Sequence, residues 1–451
     1  MSGLARLGLA WRLLRAEGPA ALAARAADRR LDAARRRRFA PLPAAALAGR
    51  GPAVEVLTVL PFPPLRRRGG VAIALLARLA AAVRERPTAL LYREPGGFRL
   101  EVEGPGLAPG AIEIADDAAT EGEERDWTSV VDRAAAWLGA HLLHFESLAE
   151  LPLAPVAGLA RGPRPLVVST HDFALHCVRP HLDELPERRF CHFSRDRSRC
   201  AACLGNDADR RGTDLDAHRR AASEIVAHAA ALVHPSRWVA ARHAELFPGL
   251  EPARQRVIAP ALAPPAPTAP TARWPPRHVA FAGAARADKG ALVFAELARR
   301  SEIGGDLRWS ALGGGESAAL AALDLAGVRV RGYYAAGTLP ARLGRERVDL
   351  VILPVRTPET YSLVLDECIA AGVPVLASDL GALGERVREL GAGWCVPSAL
   401  GLDGLAAKLR EILSGALPRP DLTRAAAALS VPEQAARAHD ELYLQIAAPT
   451  P

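Results

Sequence analysis

Residues 259–276 read APALAPPAPTAPTARWPP, a run so rich in proline that neither a helix nor an interior strand can pass through it. It divides the chain into two stretches with the same rhythm. On its N-terminal side, short apolar runs at Val54–Leu60, Leu142–Phe145, Leu166–Thr170 and Ala231–His234 alternate with helical patterns such as Val71–Val83. Beyond it, Val279–Ala282, Leu307–Leu312, Val328–Arg331, Val348–Leu353 and Val373–Ala377 are each followed by a helical pattern. This alternation predicts an α/β architecture with a parallel sheet on each side of the linker. The expected parts are an extension over 1–50, a first domain over 51–258, the linker over 259–276, a second domain over 277–430, and a closing helix and tail over 431–451. The acidic, Gly/Pro-interrupted stretch 101–126 reads as a β-like excursion or a loop.

The net charge of +7 would suggest a nucleic-acid partner if it were spread over the chain, but residues 1–50 hold eleven arginines against three acids. The remainder is nearly neutral, which disfavours a basic nucleic-acid groove. Leu4, Leu7, Trp11 and Leu14 recur at helical spacing and the run Arg35 to Arg38 follows, a pattern suited to peripheral contact with the inner face of a membrane; a solvated Ala/Arg-rich extension is the equal alternative. Arg6, Arg12 and Arg15 break the apolar N-terminus, and no run of about 18 apolar residues occurs, so a cytoplasmic protein without a membrane span is expected.

The segment Val348–Leu353, the loop from Pro354 to Tyr361 and the apolar helix after it form a strand-to-helix junction, where free N–H groups of Ser362 and Leu363 can face an anion. Glu359 stands in that loop and Glu367 lies eight positions on, inside the helix. Taken alone, the pair fits solvated helix carboxylates as well as ligand-holding ones. Lysine is rarer evidence: only Lys289 and Lys408 occur among 57 basic residues, and Lys289 lies near a helix start, where the macrodipole disfavours a cation unless an anion is close.

The run PETYSLVLDECIAAGVPVLASDLGALGERV resembles the E-x7-E signature of the retaining GT-B glycosyltransferases called family four. The resemblance implies two Rossmann-like domains facing a cleft, with Glu359 contacting the donor sugar, Glu367 the ribose, and Thr360, Ser362 and Leu363 on the donor side. Ser362 departs from the glycine most common at its position. HVAFAGAARADKG is similar to the family's diphosphate-neutralising turn, placing Gly283, Arg286 and Lys289 there. The glycines at 313–315 suit either a turn or an approach to the nucleobase. PFPPLRRRGG resembles the family's N-terminal glycine loop, with Gly69 and Gly70 facing donor and acceptor, and Arg66, Arg67 and Arg68 toward a phosphorylated acceptor or water. LLHFESL and VVSTHDF look like its two successive strand ends, setting His171 near the transferred sugar with Asp172 beside it; His144 is a weaker candidate of the same kind.

Cys177, Cys191, Cys200 and Cys203 crowd an insertion over 177–203, and in an intracellular chain they read as a structural tetrathiolate zinc site in preference to reduced free thiols or an iron–sulfur cluster. No catalytic cofactor is expected, because protein charge would meet the diphosphate. The implied activity is retaining transfer of a sugar from a nucleotide-diphosphate donor to a glycan or lipid-linked acceptor, in surface polysaccharide synthesis. An inactive GT-B-fold binding subunit and a sugar-nucleotide epimerase or phosphorylase are the alternatives.

Overall fold

In the computed structural model, residues 3–64, 69–115, 127–262, 273–303 and 306–448 are described; Arg66, Arg67 and Arg68 and most of the Pro-rich linker lie outside them. The chain divides into two compact units. One comprises Asp32–Leu185, His192–Leu262 and Ser430–Pro451, the other Met1–Leu31, Pro186–Cys191 and Ala263–Leu429.

The first unit is built on nine strands: β1 (Ala40–Leu42), β2 (Val56–Leu60), β3 (Thr88–Glu94), β4 (Gly97–Gly104), β5 (Leu107–Ala115), β6 (Leu142–Phe145), β7 (Leu166–Ser169), β8 (Ala231–His234) and β9 (Gln255–Val257). Their order is β1-β5-β4-β3-β2-β6-β7-β8-β9. From β3 through β2 to β9 the pairing is parallel, as the repeated strand–helix rhythm requires. At the other side β3, β4 and β5 run antiparallel, and β4 and β5 take in the first part, to Ala115, of the stretch expected as a β-like excursion or a loop. Two Pro-Gly dipeptides explain it: Pro95-Gly96 and Pro105-Gly106 fill two-residue connections, and both glycines have positive φ, 89° and 71°. A charged face of this meander meets the basic run: Arg35 reaches Glu101 at 2.6 Å, Arg36 pairs with Glu94 and Arg38 with Glu103. Three of the four arginines of the run weighed between a membrane face and solvent are therefore matched by protein carboxylates. The closing helix, Pro432–Ala447, lays Leu442 and Tyr443 against Val56, Leu142, Val167 and Val233 of the sheet.

The second unit has six strands, β10 (His278–Ala282), β11 (Arg308–Leu312), β12 (Arg329–Gly332), β13 (Leu350–Leu353), β14 (Val375–Asp379) and β15 (Gly393–Pro397), all parallel in the order β12-β11-β10-β13-β14-β15. Side-chain alternation splits each central strand between two cores. Val279, Phe281, Leu350 and Ile352 enter one, and Ala280, Ala282, Val351 and Leu353 the other. The chain order reverses between β10 and β13, and in an open doubly wound sheet the crevice outside the carboxyl ends at that switch point is where ligands bind.

Candidate functional site

The two loops leaving that switch point carry the donor-side candidates. After β10 the chain turns through Gly283 (φ 111°) and reaches Arg286, Asp288, Lys289 and Gly290; after β13 it runs to Glu359. Gly290 has φ 81°, and a Cβ there would lie 1.8 Å from the carbonyl oxygen of Pro354, so the loops meet at a place only glycine can occupy. This approach brings together two residues far apart in sequence: Lys289 Nζ donates to Glu359 Oε1 at 2.8 Å. Arg286 is oriented by a residue that sequence reasoning missed. Its guanidinium donates to both oxygens of the buried Asp288, at 2.9 and 3.1 Å, while the Asp288 carbonyl accepts the Arg356 N–H at 2.8 Å. An acid between the two expected cations, in RADK, was the available signal.

Glu359 is tied through its backbone, accepting the N–H of Ala382 at 2.9 Å. Beyond Thr360, helix Leu363–Ala370 begins, and its N-cap Ser362 has φ 79° and ψ 82° with no capping bond from its side chain. A glycine would be indifferent to that backbone and a serine is strained by it, which accounts physically for glycine as the commoner residue. Arg386 holds the turn: it donates to the carbonyls of Tyr361 and Ser362 at 3.2 Å each, covers the Tyr361 ring at 3.7 Å and reaches Asp366 at 2.5 Å. Ser362→Gly is expected to stabilise the protein by about 0.5–1 kcal/mol, strain relief being partly offset by glycine's larger unfolded entropy. A urea midpoint lower than wild type would show that backbone strain does not decide this position.

Glu367 is 7% exposed and faces inward. Burial pushes its pKa up to about 7, against the N–H groups of Leu339 and Gly337, which pull it back. Among the described residues its Oε1 has no hydrogen-bond partner. A buried carboxyl oxygen without a donor is rare and costly unless something else supplies one, and a ligand hydroxyl would.

In the first unit, Gly69 caps helix Gly70–Ala82; its φ of −85° suits any residue and a Cβ would meet nothing within 4 Å. Among the described residues nothing in the fold calls for glycine there. His171 follows β7, and its Nε2 lies 3.4 Å from Oε2 of Glu146, a residue missed although it stands in the LLHFESL segment. Asp172, its acidity weakened by burial, accepts from Ser147 Oγ and the Ala174 N–H at 2.9 Å each. His144 is wholly buried, both ring nitrogens engaged, and burial lowers its pKa to about 4, so it has an internal role and does not face a substrate.

No two of the six cysteines are joined in a disulfide. Three sulfurs receive N–H groups: Cys177 from Arg179 at 3.4 Å, Cys203 from Leu185 at 3.3 Å and Cys200 from the Arg219 guanidinium at 3.5 Å. Cys200 and Cys203 stand one turn apart on helix Arg197–Gly205. Among the described residues, the group of His, Cys, Asp and Glu ligand atoms lying within 4.8 Å of one another is His144, Glu146 and His439, not Cys177, Cys191, Cys200 and Cys203. Within the first unit, charged pairs hold parts of this insertion, Arg179 to Asp207 and Arg199 in two bonds to Glu184, at 2.5 and 2.6 Å.

No helix of the described residues is long and apolar enough to cross a membrane. No curated protein matches the chain at the sequence level. Among solved structures the fold is similar to sucrose-phosphate synthase from Thermosynechococcus elongatus, at TM-score 0.61 and 15% identity, covering 87% of this chain and 99% of that one. It is similar as well to Anabaena HepE in complex with UDP-glucose, at TM-score 0.54 and 17% identity over 87% and 98% of the two chains. The catalytic domain of starch synthase IV from Arabidopsis thaliana, bound to ADP and acarbose, superposes at TM-score 0.52 and 13% identity over 87% and 99%. At these identities the likeness concerns the fold, which is that of the GT-B glycosyltransferases. The stretch containing Gly283, Arg286, Lys289, Glu359 and Glu367 matches a sequence family described as glycosyl transferases group 1. That match spans residues 276–415, in a chain whose fold is similar to that of the GT-B glycosyltransferases.

Proposed function

We propose that the protein is a retaining glycosyltransferase that moves a sugar from a nucleotide-diphosphate donor to a glycan or lipid-linked acceptor in surface polysaccharide synthesis. The observation that carries this reading is the meeting of Lys289 and Glu359 at the sheet's switch point, with the partnerless Oε1 of Glu367 on the helix that follows. In the donor complex Lys289 leaves Glu359 for the diphosphate, and Glu359 accepts from sugar hydroxyls. The exchange is inexpensive, because a partly exposed ion pair contributes at most about 1 kcal/mol. Arg286, its fork held by Asp288, and the N–H groups of Ser362 and Leu363 share the diphosphate charge with Lys289, while Thr360 lines the same loop. Stabilising the departing diphosphate by these preset charges and dipoles is the main catalytic contribution. Glu367 accepts from the ribose, Gly69 and Gly70 let backbone approach the ligands, and His171 stands beside the transferred sugar. Solved structures of the same fold hold UDP-glucose or ADP, which supports a donor of this chemistry.

A thermal-shift series with UDP, ADP, GDP, UDP-glucose, ADP-glucose and GDP-mannose tests the reading. At 100 times its Kd a ligand of the folded state adds about 2.7 kcal/mol, or several degrees in Tm for a chain of this size. One nucleotide class should produce this shift, Lys289→Ala should reduce it, and NMR of the product should show the donor's anomeric configuration kept. No shift with any of the six at millimolar concentration would refute donor binding, and a shift without turnover would favour a binding subunit.

A further inference from the structure

Glu146, at the end of β6, is 2% exposed and belongs to a polar cluster inside the first unit that the donor-side chemistry does not use. Its Oε1 pairs with the buried Arg78 of helix Gly70–Ala82, which also donates to the Tyr443 hydroxyl at 3.2 Å. His144 Nδ1 lies 2.6 Å from that hydroxyl and its Nε2 lies 2.8 Å from Ser169 Oγ. The ring of His439, on the closing helix, stacks on His144 at 5.5 Å.

His144, Glu146 and His439 are near enough to suggest a metal, but both nitrogens of His144 and one carboxylate oxygen are already engaged, and a guanidinium occupies the position of positive charge. The cluster is a device for burying one ionised carboxylate. Against burial, which raises it, the charge of Arg78 holds the Glu146 pKa well below the ordinary carboxylate range. Only one oxygen serves Arg78. The other, Oε2, is 3.4 Å from His171 Nε2.

We propose that Glu146 is a positioning residue for the transfer site: anchored by Arg78 and the Tyr443 end of the closing helix, it accepts from Nε2–H of His171 and so selects that tautomer and the ring's orientation. In the neutral imidazole this leaves Nδ1 as the hydrogen-bond acceptor. The family resemblance gives Glu146 no role, and the proposal rests on the glycosyltransferase reading only for its kinetic arm.

The test uses the full chain with Glu146→Gln, Glu146→Asp, His171→Asn and the double variant Glu146→Gln/His171→Asn. Glu146→Asp keeps charge opposite Arg78 while withdrawing the carboxylate by one methylene, and it carries the test if the Gln variant does not fold. Histidine side-chain 1H–15N spectra, with His171 assigned by its loss in His171→Asn, should show the Nε2–H tautomer in wild type and a mixture in the Glu146 variants. In UDP release from UDP-glucose, loss of the carboxylate should lower kcat by at least about tenfold with KM nearly unchanged, because geometry and not binding is lost. In the His171→Asn background the same change should add nothing further. A wild-type tautomer other than Nε2–H, spectra unchanged in the variants, or a double variant showing the product of the two single losses would each overturn the assignment. If UDP-glucose is not a substrate, the kinetic arm uses the donor that the thermal-shift series identifies, and if none is turned over the functional reading fails while the imidazole spectra alone decide the role of Glu146.

Discussion

Glu367→Gln is expected to stabilise the donor-free protein above neutral pH while crippling its use of the donor. Burial raises the carboxyl from 4.5 to about 7 in the folded state. Between those values the folded chain binds more protons than the unfolded one, so its stability falls as pH rises through the window. The full penalty, roughly 3 kcal/mol at about 1.4 kcal/mol for each tenfold change in proton affinity, is present only above pH 7. Glutamine never ionises and escapes it. Urea denaturation should therefore show the variant about 2–3 kcal/mol more stable than wild type near pH 8 and nearly equal near pH 4. Equal differences at both pH values would show that the carboxyl does not titrate in this window.

The same group gives donor binding an opposite slope. A carboxylate accepting from ribose hydroxyls binds in its charged form, so wild-type donor affinity should improve as pH rises from 6 to 8, and that improvement should vanish in Glu367→Gln. Losing a charged acceptor costs about 1.5–3 kcal/mol, or roughly 10- to 100-fold in Kd. Gaining stability while losing the ligand is the behaviour of a site residue that the fold alone would not have chosen.

Arg78→Met should be the most destabilising of the single changes considered, at about 3–5 kcal/mol, because it leaves Glu146 ionised and buried without its partner. Neither side chain of the pair is more than 5% exposed. The hydrogen bond to Tyr443 goes with it, loosening helix Pro432–Ala447 on the sheet. Adding Glu146→Gln to Arg78→Met should recover most of the loss, since replacing both partners removes the uncompensated charge. Chemical denaturation of the three variants measures this cycle. A cost for Arg78→Met below about 1 kcal/mol would mean that water reaches the pair and screens it.

What was legible in the chain alone was local in sequence. The strands before and after the Pro-rich run follow from apolar runs of four to seven residues bounded by turn signals, and β6 and β8 occur over the same residues as expected, Leu142–Phe145 and Ala231–His234. The antiparallel polarity of the meander escaped although its two Pro-Gly turns were visible, because strand polarity depends on which neighbour each strand finds. Glu359, Lys289 and Glu367 stood out because strand-to-helix junctions place them by short-range chain order. Asp288 and Glu146 did not, since an acid's importance depends on the cation brought against it.

The sequence by itself determined the α/β class, the break between two strand–helix series and the residues that leave the carboxyl ends of the central strands, because hydrophobic period and proline act within a few residues. The tertiary structure alone decided that Lys289 meets Glu359 across 70 positions, that Arg78 reaches Glu146 across 68 and Tyr443 across 365, and that Glu367 is buried with an oxygen unsatisfied. Ionisation and hydrogen bonding are set by desolvation and by the nearest opposite charge, and neither exists until distant segments have packed.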